Sequence, residues 1–270
     1  MKIPFVKMHG NGNDFVVIDN TKSIINKEKS LIRKLANRKI GIGCDQLILM
    51  ENSSKYDVFM KIYNSDGTEA EMCGNAARCV ASLFMAGVKK KEVKIETISC
   101  IITANLEKNN EIKTSIALPK QDLKNILKKG YQNIINLEEI HPLLKEGNVI
   151  NMGNPHVVFF LKSLNLINLS DIGGRIENHK AFTKGINVEV VEVISDSSLK
   201  IKFWERGAGE TLSCGSGILA ATYASFKNKK CLNTVKVILP LGSVKVNITK
   251  DLINITGKAE VSFLGEYDYV

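Results

Sequence analysis

Asn64-Ser65-Asp66-Gly67-Thr68-Glu69-Ala70-Glu71-Met72-Cys73-Gly74-Asn75-Ala76-Ala77-Arg78-Cys79 is a turn-rich stretch that ends in a cysteine, a glycine, a small polar residue and an apolar run of helical character. The chain offers a counterpart in Glu205-Arg206-Gly207-Ala208-Gly209-Glu210-Thr211-Leu212-Ser213-Cys214-Gly215-Ser216-Gly217. In each, a glutamate lies four residues before the cysteine (Glu69, Glu210). Cys73 and Cys214 are 141 residues apart (214 − 73). The same offset relates Asn13 to Asn154, Gln46 to Asn187 and Asn64 to Glu205. A single register that joins amides, a polar residue and a Cys-Gly pair is the signature of an internal duplication, and two copies are too few for a solenoid. The pattern predicts two related domains facing each other.

The 270 residues can hold one large or two mid-sized domains. An apolar content of 44% and a charged content of 24% place the chain among soluble globular proteins. No apolar run reaches the ~18 residues that a membrane span needs. The segment Met1–Gly10 lacks the apolar core and cleavage site of a secretory signal, so a cytoplasmic location is expected. The net charge of +9 comes from scattered lysines, with clusters at Lys89-Lys90-Lys91 and Lys227-Asn228-Lys229-Lys230, where cations complement helix C-termini. Without an aromatic-interleaved basic stripe, that charge argues for solubility and against a nucleic-acid partner. The six cysteines include no Cys-x-x-Cys pair, which argues against zinc, and Cys79, Cys100 and Cys231 lie in apolar surroundings that predict core positions.

In chain order, a strand over Phe5–Asp19 is broken by the turn Gly10-Asn11-Gly12-Asn13, which delivers Asn13. Apolar periodicity predicts a helix over Lys29–Arg38. Strands follow from Gln46 and over Val58–Tyr63. A helix is expected to start at Cys73-Gly74-Asn75, to be buried on most sides and to stop at Gly87. Strands over Val93–Ile98, Ile101–Leu106 and Ile112–Leu118 then set the first domain as a sheet around a central helix. The second half repeats the order, with a helix or turn near Leu169–Gly174, strands over Ile186–Ile194 and Lys200–Trp204, a helix from Ile218 and closing strands up to Thr256. The expected domains are 1–118 and 119–259, with 260–270 returning to the first.

A helix start leaves about four backbone N–H groups without partners and carries roughly half a positive charge. A cysteine there has its thiolate stabilised, and the glycine after it lets an anion approach the amides. Two such starts, one from each domain, give two sulfur acid/base groups on opposite faces of one carbon beside a gripped carboxylate. Taking a proton from one face and returning one to the other inverts a stereocentre. The developing carbanion is held by preorganised donors, so neither a metal nor another cofactor is called for.

The motifs Met8-His9-Gly10-Asn11-Gly12-Asn13-Asp14-Phe15, Asn64 to Cys79, Met152-Gly153-Asn154-Pro155-His156 and Glu205 to Gly217 resemble those of diaminopimelate epimerases, and the likeness spans the chain. That resemblance implies an α/β (α+β) fold of two pseudo-symmetric domains, each a sheet wrapped on a central helix, with the active site in the crevice between them. It implies a cofactor-independent homodimer that interconverts LL- and meso-2,6-diaminopimelate for lysine and peptidoglycan precursors. By the same resemblance Cys73 and Cys214 are the acid/base pair. Gly74, Asn75, Gly215 and Ser216 hold the reacting carboxylate, while Asn13, Gln46, Asn64, Asn154 and Asn187 bind polar groups of the substrate. Arg206 pairs with the distal carboxylate, and Glu205 holds an ammonium and, with His156, tunes the thiols. Two departures from the family's pattern, Cys44 for an aromatic and Ala76 for a glycine, lie beside site positions. A racemase for another amino acid, such as proline, and a non-catalytic amino-acid binding protein are the alternative readings of the same residues.

Overall fold

The computed structural model describes residues 2–269. Its chain runs through β1 (Lys2–Gly10), β2 (Asn13–Asp19), α1 (Lys29–Ala36), β3 (Gln46–Glu51), β4 (Val58–Asn64), β5 (Glu69–Ala70), α2 (Gly74–Val88), β6 (Glu92–Glu96), β7 (Ile101–Leu106) and β8 (Ile112–Ala117). It continues through β9 (Ile134–Ile135), β10 (Gly147–Asn151), β11 (Pro155–Leu161), α3 (Leu169–Glu177), β12 (Asn187–Ser195), β13 (Ser198–Glu205), β14 (Gly209–Thr211) and α4 (Gly215–Lys227). The last elements are β15 (Thr234–Leu239), β16 (Gly242–Ile248), β17 (Leu252–Gly257) and β18 (Glu260–Asp268). Contacts divide the chain into two units, one formed by the chain up to Ile116 and from Thr256 onward, the other by Ala117–Ile255.

In the first unit β1 pairs antiparallel with both β2 and β18. β2 runs parallel to β3, β3 antiparallel to β4, and β4 parallel to β6, which continues antiparallel into β7 and β8. Apolar runs such as Val16-Val17-Ile18 and Leu47-Ile48-Leu49 are buried throughout, because helices cover the sheet. α1 buries Leu31, Ile32, Leu35 and Ala36 against Val16, Ile18, Leu47 and Leu49. α2 is buried from Gly74 to Ala81, and its later turns are half-buried or exposed except at Met85. It passes through Gly87 and ends at Val88, with Lys89 in the left-handed conformation as its cap (φ 54°). The expected stop at Gly87 is therefore one residue early, and a lysine takes the conformation that glycine more often supplies.

The second unit repeats this wiring. β10 pairs antiparallel with β11, β11 parallel with β12, β12 antiparallel with β13, and β13 parallel with β15. The duplication extends to individual strand partners. Phe15 lies opposite Gln46, and His156 opposite Asn187; Ile62 lies opposite Ala70, and Phe203 opposite Thr211. Each second pair is the first displaced by 141. Beyond the helix the offset becomes 142, since Glu92 pairs with Asn105 and Thr234 with Asn247. α4 is buried from Gly215 to Ser225, as its small residues Ala220, Ala221 and Ala224 allow close packing on β11, β12 and β13. α3, which sequence placed as a helix or turn, is a nine-residue helix whose Gly173 lies under the Trp204 ring.

Candidate active site

In the first unit the turn at Asn11 (φ 55°) and Gly12 (φ 89°) needs two left-handed residues, and asparagine and glycine tolerate that backbone best. It sets Asn13 at the start of β2. Cys73 is the N-cap of α2 in extended conformation, and its S–H donates to Asn13 Oδ1 at 3.7 Å. Asn75 Nδ2 donates to the same oxygen at 3.3 Å, while Asn13 Nδ2 donates to Asp45 Oδ2 at 2.9 Å. The Asn13 amide is thereby fixed with its oxygen toward the thiol. Asp14 supports this corner through Lys7 (2.6 Å) and a two-pronged contact with Arg38 (2.9 and 2.6 Å). Burial pushes the Asp14 carboxyl up, but Arg38, Lys7 and the Asp45 amide outweigh it and hold the group well below the ordinary carboxylate range. Gln46 and Asn64 face each other across β3 and β4, with Gln46 Nε2 donating to Asn64 Oδ1 at 3.0 Å. Gln46 Oε1 is buried and accepts nothing from the described residues.

The second unit builds its corner differently. Cys214 is the N-cap of α4 and is 5% exposed; its sulfur accepts from Gly217 N–H at 3.4 Å and lies 3.6 Å from Ser216 Oγ. Asn154 Nδ2 donates to Ser216 Oγ at 3.1 Å, and Asn154 Oδ1 lies 3.0 Å from His156 Nε2. The other ring nitrogen of His156, Nδ1, lies 2.8 Å from Glu189 Oε1. Both nitrogens thus face acceptor oxygens, a geometry that suits two N–H donors. His156 and Glu189 are both fully buried. Glu205 accepts from Thr211 Oγ1 at 2.7 Å. Burial pushes its carboxyl up, with Glu189 adding to the rise, while hydrogen bonds from Thr211 and Cys214 work against it. Asn187 braces the loop: Nδ2 donates to the Pro155 carbonyl at 2.8 Å and Oδ1 accepts from Arg206 N–H at 2.9 Å. The Arg206 side chain is exposed, and its stem crosses Gly185.

The sequence reading credits both helix starts with stabilising a thiolate. At Cys214 other groups act against the helix start. Burial drives its thiol well above the ordinary cysteine value, and the Glu205 and Glu189 carboxylates add repulsion that the Ser216 and Gly217 contacts do not offset. Cys100, expected in the core, is half-buried in the Thr97–Cys100 turn, where its amide N–H donates to Thr97 Oγ1 (3.1 Å). Cys79 and Cys231 are buried as expected.

The family model for diaminopimelate epimerase matches residues 5–118 and 148–262. A diaminopimelate epimerase from Carboxydothermus hydrogenoformans is 40% identical, the match covering 97% of this chain and 98% of that protein. One from Acetivibrio thermocellus is 37% identical over 98% of each. The chain belongs to the diaminopimelate epimerase family. Among solved structures, a PhzF-family phenazine biosynthesis protein from Bacillus anthracis shares its fold (TM-score 0.69, 17% identity, 100% of each chain). So does a hydroxyproline epimerase from Agrobacterium vitis (TM-score 0.68, 12% identity, 98% of this chain and 91% of that one).

Within this diaminopimelate epimerase chain, Asn13, Asn75 and Cys73 form one cluster, and Asn154, His156, Ser216 and Cys214 another. Glu69 and Glu210 stand apart, paired with Lys61 (2.9 Å) and bonded to Ser170 (2.5 Å). Sequence reading passed over Glu189 and Arg78. Each carried a signal, because each is a lone charge inside an apolar run, Val188-Glu189-Val190-Val191 and Ala76-Ala77-Arg78-Cys79-Val80.

Proposed function

We propose that this chain is an isomerase that interconverts LL- and meso-2,6-diaminopimelate without a cofactor, in the formation of lysine and peptidoglycan precursors. The observation that carries the reading is the pair of helix-start cysteines in unlike surroundings, in a chain of this family. Cys73 S–H is directed at an amide oxygen beside a helix start, and Cys214 is held as a thiol by burial and two carboxylates.

In the proposed reaction the Cys73 thiolate takes the α-hydrogen as a proton from one face. The C–H pair is left on the α-carbon and spreads into the carboxylate, which the amides around Gly74, Asn75, Gly215 and Ser216 hold. Cys214 delivers its S–H proton to the opposite face, and the return reaction exchanges the two roles. Glu205, a half-buried carboxylate raised by desolvation, suits a substrate ammonium, which would return it to the charged form. The buried Gln46 Oε1, lacking a donor among the described residues, suits the same kind of group. Asn13, Asn64, Asn154 and Asn187 order the pocket walls, and Arg206, with an exposed guanidinium, meets the distal carboxylate through two N–H groups. His156 acts on Cys214 through Asn154 and Ser216.

The enzyme works as a homodimer in the cytoplasm. Val261, Phe263 and Leu264 on β18 are 52%, 50% and 74% exposed, an apolar group that suits burial against a second copy. No described helix is long and apolar enough to cross a membrane. The test is to incubate LL-diaminopimelate with enzyme in deuterated water. The meso product should carry deuterium at the inverted carbon, and turnover should vanish in both Cys73→Ala and Cys214→Ala. Absence of exchange with the wild-type chain, or near-normal rates in either variant, would overturn the reading.

A further inference from the structure

Arg78 is fully buried in the second turn of α2. An isolated buried charge is among the costliest groups to desolvate, and buried arginines are ordinarily paired with carboxylates. Here no carboxylate lies within ion-pair distance among the described residues, and Nη1 has no hydrogen-bond partner there. Nη2 instead donates to Asn75 Oδ1 (2.8 Å) and Asn11 Oδ1 (3.2 Å), and Nε to the Lys258 carbonyl (3.4 Å). All of these acceptors are neutral. Burial pulls the guanidinium below its ordinary value, while the Cys79 and Cys73 sulfurs, as anions, act the other way.

The contacts run in one direction, from Arg78 to Asn75, from Asn75 to Asn13 Oδ1, and to that oxygen from the Cys73 S–H. We propose that Arg78 is a positioning residue for Cys73: its guanidinium orients Asn75 and through it Asn13, and it supplies the unneutralised positive charge beneath the helix start where the thiolate forms. The proposal rests on the two-thiol reading above and adds a determinant of which thiol is the anion. The other half has Leu219 at the matching position, 141 residues on, and surrounds its cysteine with carboxylates instead.

Most other charges on the elements packed against α2 have partners, and Lys94 on β6 is exposed. Lys7 and Arg38 bind Asp14, Arg38 also binds Asp45, and His9 lies 3.4 Å from Glu260. On β6 and β7, Glu92 accepts from Asn105 and Glu96 from Ser53. Of the groups on α2 itself, Cys79 is pushed to about 12 by burial and does not compete as an anion near neutrality.

The test compares wild type, Arg78→Met, Arg78→Lys and Asn11→Asp by iodoacetamide alkylation against pH, with peptide mass spectrometry reading Cys73 and Cys214 separately. Asn11→Asp keeps the arginine and its packing but gives it a carboxylate partner, at a left-handed position that aspartate tolerates. Alkylation of Cys73 at pH 7 should fall at least tenfold in Arg78→Met and severalfold in Asn11→Asp, with Arg78→Lys between them and wild type. Cys214 should be unchanged, and kcat for α-hydrogen exchange should follow Cys73. Folded variants with a wild-type Cys73 profile would overturn the proposal while leaving the epimerase reading intact. If Arg78→Met fails to fold, Asn11→Asp decides, and an unchanged Cys73 profile there would sink it. Wild-type enzyme that exchanges no α-hydrogen refutes the epimerase reading itself, whatever the alkylation shows.

Discussion

Glu189→Gln removes a charge without removing volume. The carboxylate is fully buried, bonded to His156 Nδ1 at 2.8 Å through one oxygen, with no partner among the described residues for the other. A glutamine amide would either turn its NH2 toward the His156 nitrogen or leave it beside Oε2's position, where it finds no acceptor. An unsatisfied buried donor costs about 1–3 kcal/mol, and a buried pair broken on one side about 3–5 kcal/mol. Because the substitution leaves no cavity, a loss near 3 kcal/mol is expected. At roughly 2–4 °C per kcal/mol for a unit of this size, the melting temperature should fall by ~6–12 °C. The same change lifts one of the two repulsions that hold Cys214 as a thiol. Each 1.4 kcal/mol of removed repulsion raises the thiolate population about tenfold, so alkylation of Cys214 at fixed pH should quicken by that order. Calorimetry and peptide-resolved alkylation read the two effects independently. An unchanged melting temperature, or a Cys214 that alkylates no faster, would refute the assignment of Glu189 as both brace and source of negative potential.

Gly217→Ala would place a methyl 2.5 Å from Glu189 Oε1 and 3.2 Å from Cys214 Cβ, displacing the same carboxylate; overpacking of about 1–3 kcal/mol and a kcat loss exceeding tenfold at little-changed KM are expected in steady-state assays. Asp14 titrates below its ordinary range in the folded chain. On acidification the unfolded chain takes up the proton first, so this contribution to stability is intact above about pH 4 and fades below it. Asp14→Asn should flatten that acid limb in melting curves taken from pH 6 to 2, and an unaltered limb would count against the Arg38–Asp14–Lys7 cluster as its origin. Mild oxidation should inactivate the enzyme reversibly by joining Cys73 to Cys214, since the proposed chemistry requires both sulfurs at one carbon; mass spectrometry of oxidised protein without that link would contradict the requirement.

The duplication was legible because a strand-and-turn register repeats without insertion from Asn13 to Cys73, so the offset pairs amide with amide at Asn13–Asn154 and Gln46–Asn187. Helix ends were less so. α2 runs past Gly87 because nothing obliges a glycine to break a helix whose N-terminal half is buried, and Lys89 accepts the left-handed cap. The buried charges were missed for a related reason. Arg78 sits in a segment apolar all round, and Glu189 in a β-branched strand, where pattern reading assigns burial to the whole run and has no means of naming a partner at distant Asn11 or His156. The upward push on the Cys214 thiol was not legible, because a helix start acts over one turn, whereas the opposing carboxylates arrive from β12 and β13, which only the folded sheet brings near α4.

In the proposed reaction one sulfur is an anion while the other holds a proton, and an exact repeat would give both the same affinity for it. The matched positions show where the copies part company. Phe15 becomes His156, Ile48 becomes Glu189, Asn64 becomes Glu205, and Arg78 becomes Leu219, each pair 141 residues apart. The first half has a buried cation behind its cysteine, and the second has two carboxylates around its own, one of them in contact with the His156 ring. The backbone that positions both sulfurs is conserved between the halves down to individual strand partners, as Phe15–Gln46 and His156–Asn187 show. Geometry was therefore kept by the repeat while the electrostatics diverged, and in the proposed reaction that divergence favours Cys73 as the acceptor and Cys214 as the donor in the substrate-free chain, the roles exchanging on the return.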